Sequence, residues 1–144
     1  MIEKTIEKWH AHIRGEFPGG LDELLAEDCV FYSPIVFTPQ RGKTITKMYL
    51  DAAGSTLSGD EEPGQVSAEK LGSSGFRYVK ETFGASCAVL EFETSVGGKF
   101  VNGVDIITCN DGGQIVEFKV MVRPLQAVNL LHQRMAAMLE KMKG

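Results

Sequence analysis

Apolar residues recur along this chain with two different periods, and the change from one to the other falls near the middle. Ile2, Ile6, Trp9 and Ile13 stand three or four residues apart with charges between them, which predicts an amphipathic helix over Ile2–Gly15. Phe17-Pro18-Gly19-Gly20 stops it, and Leu21, Leu24 and Leu25 mark a short second helix. Cys29–Ser33 reads as a strand closed by Pro34. Gly42-Lys43-Thr44 leads into a third helix carrying Ile45, Met48, Tyr49 and Ala52 on one face. Gly54–Gly75, rich in Gly and Ser and containing Asp60-Glu61-Glu62, reads as a long connection: either a lid over a pocket mouth or solvated chain with no role.

The second half has the period of a sheet. Phe76–Thr82, Ala85–Ser95, Phe100–Cys109 and Gln114–Arg123 are rich in β-formers, and Gly97-Gly98 and Asn110-Asp111-Gly112-Gly113 punctuate them as hairpin turns. A meander of long strands following three helices predicts an α+β fold, with the helices on one face of a curved antiparallel sheet. After Pro124, Val128, Leu131, Met135, Met138 and Met142 recur at three and four, a C-terminal helix whose Met-rich stripe serves as core or dimer contact.

Composition narrows the classes. A chain of 144 residues that is 43% hydrophobic is expected to be one domain, 1–144, with a real core. The net charge of −4 and the lack of a basic cluster with interleaved aromatics argue against nucleic acid. No apolar run approaches the roughly 20 residues that span a bilayer, and the N-terminus does not read as a signal peptide. Cys29, Cys87 and Cys109 are odd in number and form no CxxC pair, so free thiols in a reducing cytoplasm are expected. His10, His12 and His132 lack metal-ligand spacing and read as surface residues. Neither a metal nor a cofactor is expected.

One residue is out of place. Asp105 lies inside Val104-Asp105-Ile106-Ile107, and Asp is a poor strand former. Either that strand face is wet, or the carboxyl is buried. A buried carboxyl avoids the cost of ionisation by raising its pKa, and the neutral acid is then a hydrogen-bond donor able to stabilise an oxyanion. With a four-residue turn, Cys109 faces Gln114 and Asp105 faces Phe118, so Asp105 shares its face with Val116, Phe118, Val120 and Val122. Ala88, Leu90 and Phe92 point to the same side, while Glu91, Glu93, Glu117, Lys119 and Met121 point away. Alternation thus predicts one greasy face holding one acid, and one charged face. Arg123, at the strand end, either turns inward to Asp105 through a bulge or bonds to groups on the outer face or in a loop.

The stretches Leu24-Leu25-Ala26-Glu27-Asp28-Cys29-Val30-Phe31, Pro34, Gly42 before a helix with Met48-Tyr49, Val104-Asp105-Ile106-Ile107 and Asn110-Asp111-Gly112-Gly113-Gln114-Ile115 carry a resemblance covering most of the chain. It resembles the nuclear-transport-factor-2-like superfamily of cystatin-like, cone-shaped α+β folds, which includes ketosteroid isomerases and SnoaL-like polyketide cyclases. The resemblance implies a cone of curved sheet wrapped by N-terminal helices. It places the isomerases' hydrogen-bonding Asp on Asp105, their general-base Asp on Ser33 and their helix Tyr on Trp9, so two of three catalytic positions depart from the pattern. The cyclases' acid near the last strand's end is likewise absent at Val122 and Arg123, and the epoxide-hydrolase triad is incomplete.

Two readings follow. In the first, the chain holds a small apolar or carbonyl-containing ligand against Asp105. Trp9, Ser33, Tyr49, Leu90, Phe92, Phe118, Val120 and Arg123 then line the pocket, and the chain is either a plain binder or a cofactor-free isomerase, cyclase or dehydratase helped by Tyr49 or Ser33. In the second, the cone is filled by Trp9, Phe92 and Phe118 and the chain is a protein-interaction module. The resemblance implies a homodimer in both cases.

Overall fold

The computed structural model describes residues 1–57 and 75–143. Four helices, α1 (Ile2–Ile13), α2 (Gly20–Leu24), α3 (Lys43–Leu57) and α4 (Leu125–Lys143), accompany six strands. The strands are β1 (Leu25–Tyr32), β2 (Gln40–Arg41), β3 (Arg77–Phe83), β4 (Cys87–Val96), β5 (Lys99–Cys109) and β6 (Ile115–Arg123). They form one curved, unclosed sheet in the order β2-β1-β6-β5-β4-β3. The architecture is the expected α+β cone, with one pairing that strand alternation alone does not reveal: β1 runs parallel to β6, so the sheet is mixed. β1 also begins at Leu25, not Cys29, because α2 stops at Leu24. Of the stretch expected as a connection, Gly54–Leu57 forms the last turn of α3; residues 58–74 lie outside the described residues.

Alternation along β4 and β5 sorts the two faces. Ala88, Leu90, Phe92, Val101, Ile107 and Cys109 are buried, and Asp105 is buried among them at 6% exposure. Glu91, Glu93, Asn102, Val104 and Ile106 are half-buried on the other side. The β4–β5 hairpin turns on Gly97 and Gly98, at φ of +57° and +77°, the left-handed pair that a two-residue turn between twisted strands requires. Gly103 has a different reason. A Cβ there would lie 2.5 Å from both the Met121 carbonyl oxygen and Phe92 Cζ, so the missing side chain lets the Phe92 ring cross β5 directly beside Asp105.

The β5–β6 register differs from the expected one. Asp105 pairs with Val120, and Ile107 with Phe118, because the ladder shifts between Thr108↔Glu117 and Cys109↔Ile115. Val116 is the extra residue of this bulge. It is half-buried, and Ile115 takes the fully buried place that alternation assigned to Val116. The displacement is even, so Phe118 and Val120 keep the face they were expected to occupy.

Helix α1 closes one mouth of the cone. Thr5 Oγ1 donates to the Gly113 carbonyl at 2.7 Å, Trp9 meets Phe118 edge-on at 4.9 Å between ring centroids, and His10 Nε2 lies 2.6 Å from Glu81 Oε2. α3 packs on β1, and α4 packs on α3 and β6.

Candidate functional site

Asp105 owes its environment to its parity on β5. The position faces the cone, and its neighbours in the ladder, Leu90 and Val120, are apolar and buried. Its side-chain partner comes from β3. Tyr78 donates its phenolic O–H to Asp105 Oδ2 at 2.5 Å, and Trp9 Nε1–H donates to Tyr78 Oη at 2.9 Å. Indole, phenol and carboxyl thus form a directed chain from α1 through β3 to β5. Phe76 and Phe92 pack against the Tyr78 ring at 5.1 and 6.4 Å and hold it in place.

Removal from water dominates the electrostatics. Burial raises the Asp105 pKa from 3.8 to about 7, and the Tyr78 hydrogen bond offsets part of that rise. Tyr78 is pushed well above the ordinary phenol range by burial, then by the neighbouring Asp105 carboxyl and the bond to it; the Trp9 donor works in the opposite direction. Tyr78 therefore keeps its proton, and near neutral pH Asp105 carries one for a substantial part of the time. Its Oδ2 is occupied by Tyr78. Among the described residues no other side chain or backbone group bonds to the carboxyl, so a protonated Asp105 has a donor to offer.

Among the described residues Asp105 lies in the wall of a cavity of about 720 Å3, with Trp9, Tyr78, Phe118 and Val120. Leu50, Leu57 and Phe76 add apolar wall, and His10, His12, Arg14, Asp51 and Arg77 supply its polar groups. His12 stands one turn after Trp9 on α1, its ring 5.6 Å from the indole. Its pKa is drawn below the ordinary imidazole value by burial, partly countered by Asp51. A smaller chamber of about 160 Å3 lies between β1, β6, α3 and α4, lined by Ser33, Tyr49 and Val122 among others, and Val120, Ala53 and Leu57 border both spaces.

The structure divides the sequence-derived set. Trp9, Phe118 and Val120 meet Asp105 around the larger cavity. Ser33 and Tyr49 line the smaller chamber instead. Ser33 Oγ accepts the backbone N–H groups of Ile35 and Val36, at 3.0 and 3.3 Å, and Tyr49 packs on Phe31 at 5.3 Å; neither assists Asp105. Leu90 and Phe92 are buried in the core behind the wall and line neither space. Arg123 does not turn inward: it is exposed and its Nη1 donates to Asn102 Oδ1 at 3.2 Å, on the outer face. The histidines His10 and His12, expected on the surface, line the cavity. Tyr78 was not expected at the site. The one signal for it in the sequence is an aromatic hydroxyl at an inward position of a strand, and that position depends on a ladder partner fourteen residues away, Tyr78↔Phe92. Among the described residues no group of three or more His, Cys, Asp or Glu side chains could hold a metal ion.

No family model matches the chain, and no curated protein matches it. Solved structures do. A steroid delta-isomerase from Pseudomonas aeruginosa is 30% identical, with 98% of this chain and 93% of that one aligned at a TM-score of 0.82. An uncharacterised cystatin-like-fold protein from Silicibacter pomeroyi is 29% identical over 92% of this chain and 83% of its own, at 0.74. A nuclear-transport-factor-2-like protein of unknown function from Mesorhizobium loti shares the fold at 19% identity and a TM-score of 0.63, covering 85% of this chain and 91% of that one.

Proposed function

Because this chain belongs to the nuclear-transport-factor-2-like superfamily, we propose that it is a one-domain protein that takes a small apolar ligand into the cone and hydrogen-bonds a carbonyl or hydroxyl oxygen of that ligand with the Asp105 carboxyl. One observation carries the reading: a buried carboxyl, with one oxygen occupied by Tyr78, in the wall of a cavity of about 720 Å3. Small-molecule sites run from about 300 to 1,000 Å3, mostly apolar with a few placed polar groups, and this cavity has that size and make-up. The open space bordered by Trp9 and Phe118 supports this reading over that of a cone packed solid by Trp9, Phe92 and Phe118.

The neutral acid favours an oxygen that gains negative charge during reaction, since a preorganised donor in a water-poor site stabilises developing charge. Isomerase-type chemistry on a ketone fits this best. The similar Pseudomonas aeruginosa protein is a steroid delta-isomerase, yet Ser33 stands here where that kind of enzyme's base is expected, so the reaction runs on a different base or the protein is a binder.

The sequence contains a single tryptophan, Trp9, and it lines the cavity. Its fluorescence therefore reports occupancy directly. Titration with β-tetralone, a bicyclic ketone, is expected to change Trp9 emission saturably, and Asp105→Ala to weaken binding at least about 10-fold, the loss of one buried hydrogen bond to a charged or strongly polar partner. No saturable change in the unsubstituted protein would refute the reading.

We also propose a homodimer through the outer face of the sheet. That face is less charged than alternation suggests, since Val104 and Ile106 are half-buried there beside Met121, which is 51% exposed.

A further inference from the structure

We infer that the smaller chamber beneath α4 is a second, apolar subsite that holds the far end of the ligand, a group the size of one aromatic ring or a short alkyl chain. The inference rests on the reading above for the ligand's oxygen end, and on the chamber's own walls for the rest. The two spaces differ in chemistry. The larger cavity surrounds Asp105 with Tyr78, His10, His12, Arg14 and Asp51. The wall of the chamber contains no Asp, Glu, Lys or Arg among the described residues. Phe31, Ile35 and Val122 come from β1, the loop after it and β6, and Leu131, Met135 and Leu139 from α4. Of its polar side chains, Ser33 is engaged by the Ile35 and Val36 amides, the Tyr49 ring packs on Phe31, and His132 is exposed. A buried water needs about two to four polar partners, so this wall suits carbon better than water. Apolar cavities of about 150 Å3 take up benzene, and the chamber holds about 160 Å3.

Position joins the chamber to the acid. Val120 is the ladder partner of Asp105, and with Ala53 and Leu57 it borders both spaces. Val122, two residues further along β6 and on the same face, lies in the chamber wall. It is the diagonal neighbour of Asp105 across the ladder, at about 7–8 Å. At Ala53 the border between the spaces is a single methyl group. A ligand whose oxygen bonds Asp105 thus needs only a few carbons to carry an apolar end past Val120. Its class is a ketone or alcohol with an apolar tail projecting away from the oxygen. A compact bicyclic ketone occupies the larger cavity alone.

Met135 lies in the chamber wall, and among the described residues no other methionine lines either space. NMR of isotope-labelled methionine methyl groups, assigned with Met135→Leu, therefore reads the chamber, while Trp9 emission reads the larger cavity. Benzene and 2-undecanone, a methyl ketone with a long alkyl tail, are each expected to shift the Met135 signal saturably. β-Tetralone is expected to change Trp9 emission and leave the Met135 signal in place. Val122→Phe and Ala136→Leu add bulk to the chamber wall from β6 and from α4. Each should abolish the benzene response and weaken 2-undecanone binding at least about 10-fold, the worth of burying an apolar group of that size. β-Tetralone binding should change less than about 3-fold, too little to count as a lost hydrogen bond. The inference is overturned if both variants bind 2-undecanone as tightly as the parent, or if neither benzene nor that ketone moves the Met135 signal. A Met135 signal that moves on dilution and with neither compound shows another copy of the chain in the chamber, and overturns it too. A Met135 response to benzene, in a protein whose Trp9 emission answers to neither ketone, refutes the oxygen site of the larger cavity and leaves the chamber standing as an apolar site.

Discussion

Replacing Asp105 by Asn should remove most of the pH dependence of stability between mildly acidic and neutral solution. Asn keeps the shape and can still accept the Tyr78 hydroxyl, but it cannot ionise. In the native protein the carboxyl titrates at about 7 and in the unfolded chain near 3.8. Between those values the native state holds a proton that the unfolded state has lost, so stability falls as pH rises through the window and levels off above it. At about 1.4 kcal/mol per pH unit the window corresponds to roughly 4 kcal/mol, a large share of the roughly 5–15 kcal/mol that holds an ordinary domain together. His12 has the opposite sign. Its folded pKa lies below 6.5, so its contribution improves as pH rises toward that value and masks part of the fall. Urea unfolding of the parent and of Asp105→Asn at about pH 4.5 and about pH 8, compared as a difference, cancels His12 and isolates the carboxyl. The parent should lose several kcal/mol relative to the variant at the higher pH. Parallel curves would show that Asp105 is solvated, and the argument from its burial would fail.

Tyr78→Phe removes the hydrogen bond that lowers the Asp105 pKa. A bond to a charged group is worth about 1.5–3 kcal/mol, so NMR titration of the Asp105 side-chain carbon should move upward from about 7 by roughly 1–2 pH units; a downward move would contradict the assigned donor. Gly103→Ala drives a methyl against the Met121 carbonyl and the Phe92 ring. It should cost about 1–3 kcal/mol or more in urea unfolding, whereas an unaffected midpoint would mean that β5 and Phe92 are not so closely apposed. Met121→Lys places a charge on the proposed dimer face, and light scattering at micromolar concentration should change from twice the chain mass to one. A parent protein that is already monomeric would rule out that interface.

Local pattern carried much of the fold. The alternation in Ala88–Phe92 and Val101–Cys109 fixed which side of β4 and β5 is buried, and with it the orientation of Asp105. It could not fix register, because the bulge at Val116 depends on how the Asn110 turn is built: Asn110 Oδ1 accepts from the Gly112 and Gln114 amides at 3.0 Å, and the ladder then shifts. The parallel β1–β6 pair was equally hidden, since it joins segments some ninety residues apart, Leu25↔Ile115. The same limit explains the site. Asp105 announced itself by chemistry that does not suit its surroundings. Tyr78, His12 and Ser33 are ordinary in their own segments, and only the assembled cone decides that Tyr78 bonds the acid, His12 lines the same cavity and Ser33 lines the other chamber. Family correspondence placed Ser33 at the catalytic position, but its side chain was free to cap the next turn instead.

The seating of α1 has a consequence for how the molecule is assembled. Its anchors are Tyr78, Glu81, Gly113 and Phe118, the first of them 69 residues and the Gly113 carbonyl 108 residues further along. Contacts of such long range form late, after the entropy of closing the intervening chain has been met. Helix α1 must therefore wait for β3, β6 and the turn between β5 and β6 to be made before it can dock. Until it does, Tyr78 lacks its indole donor, and the hydrogen-bonded chain that ends on the carboxyl is one link short.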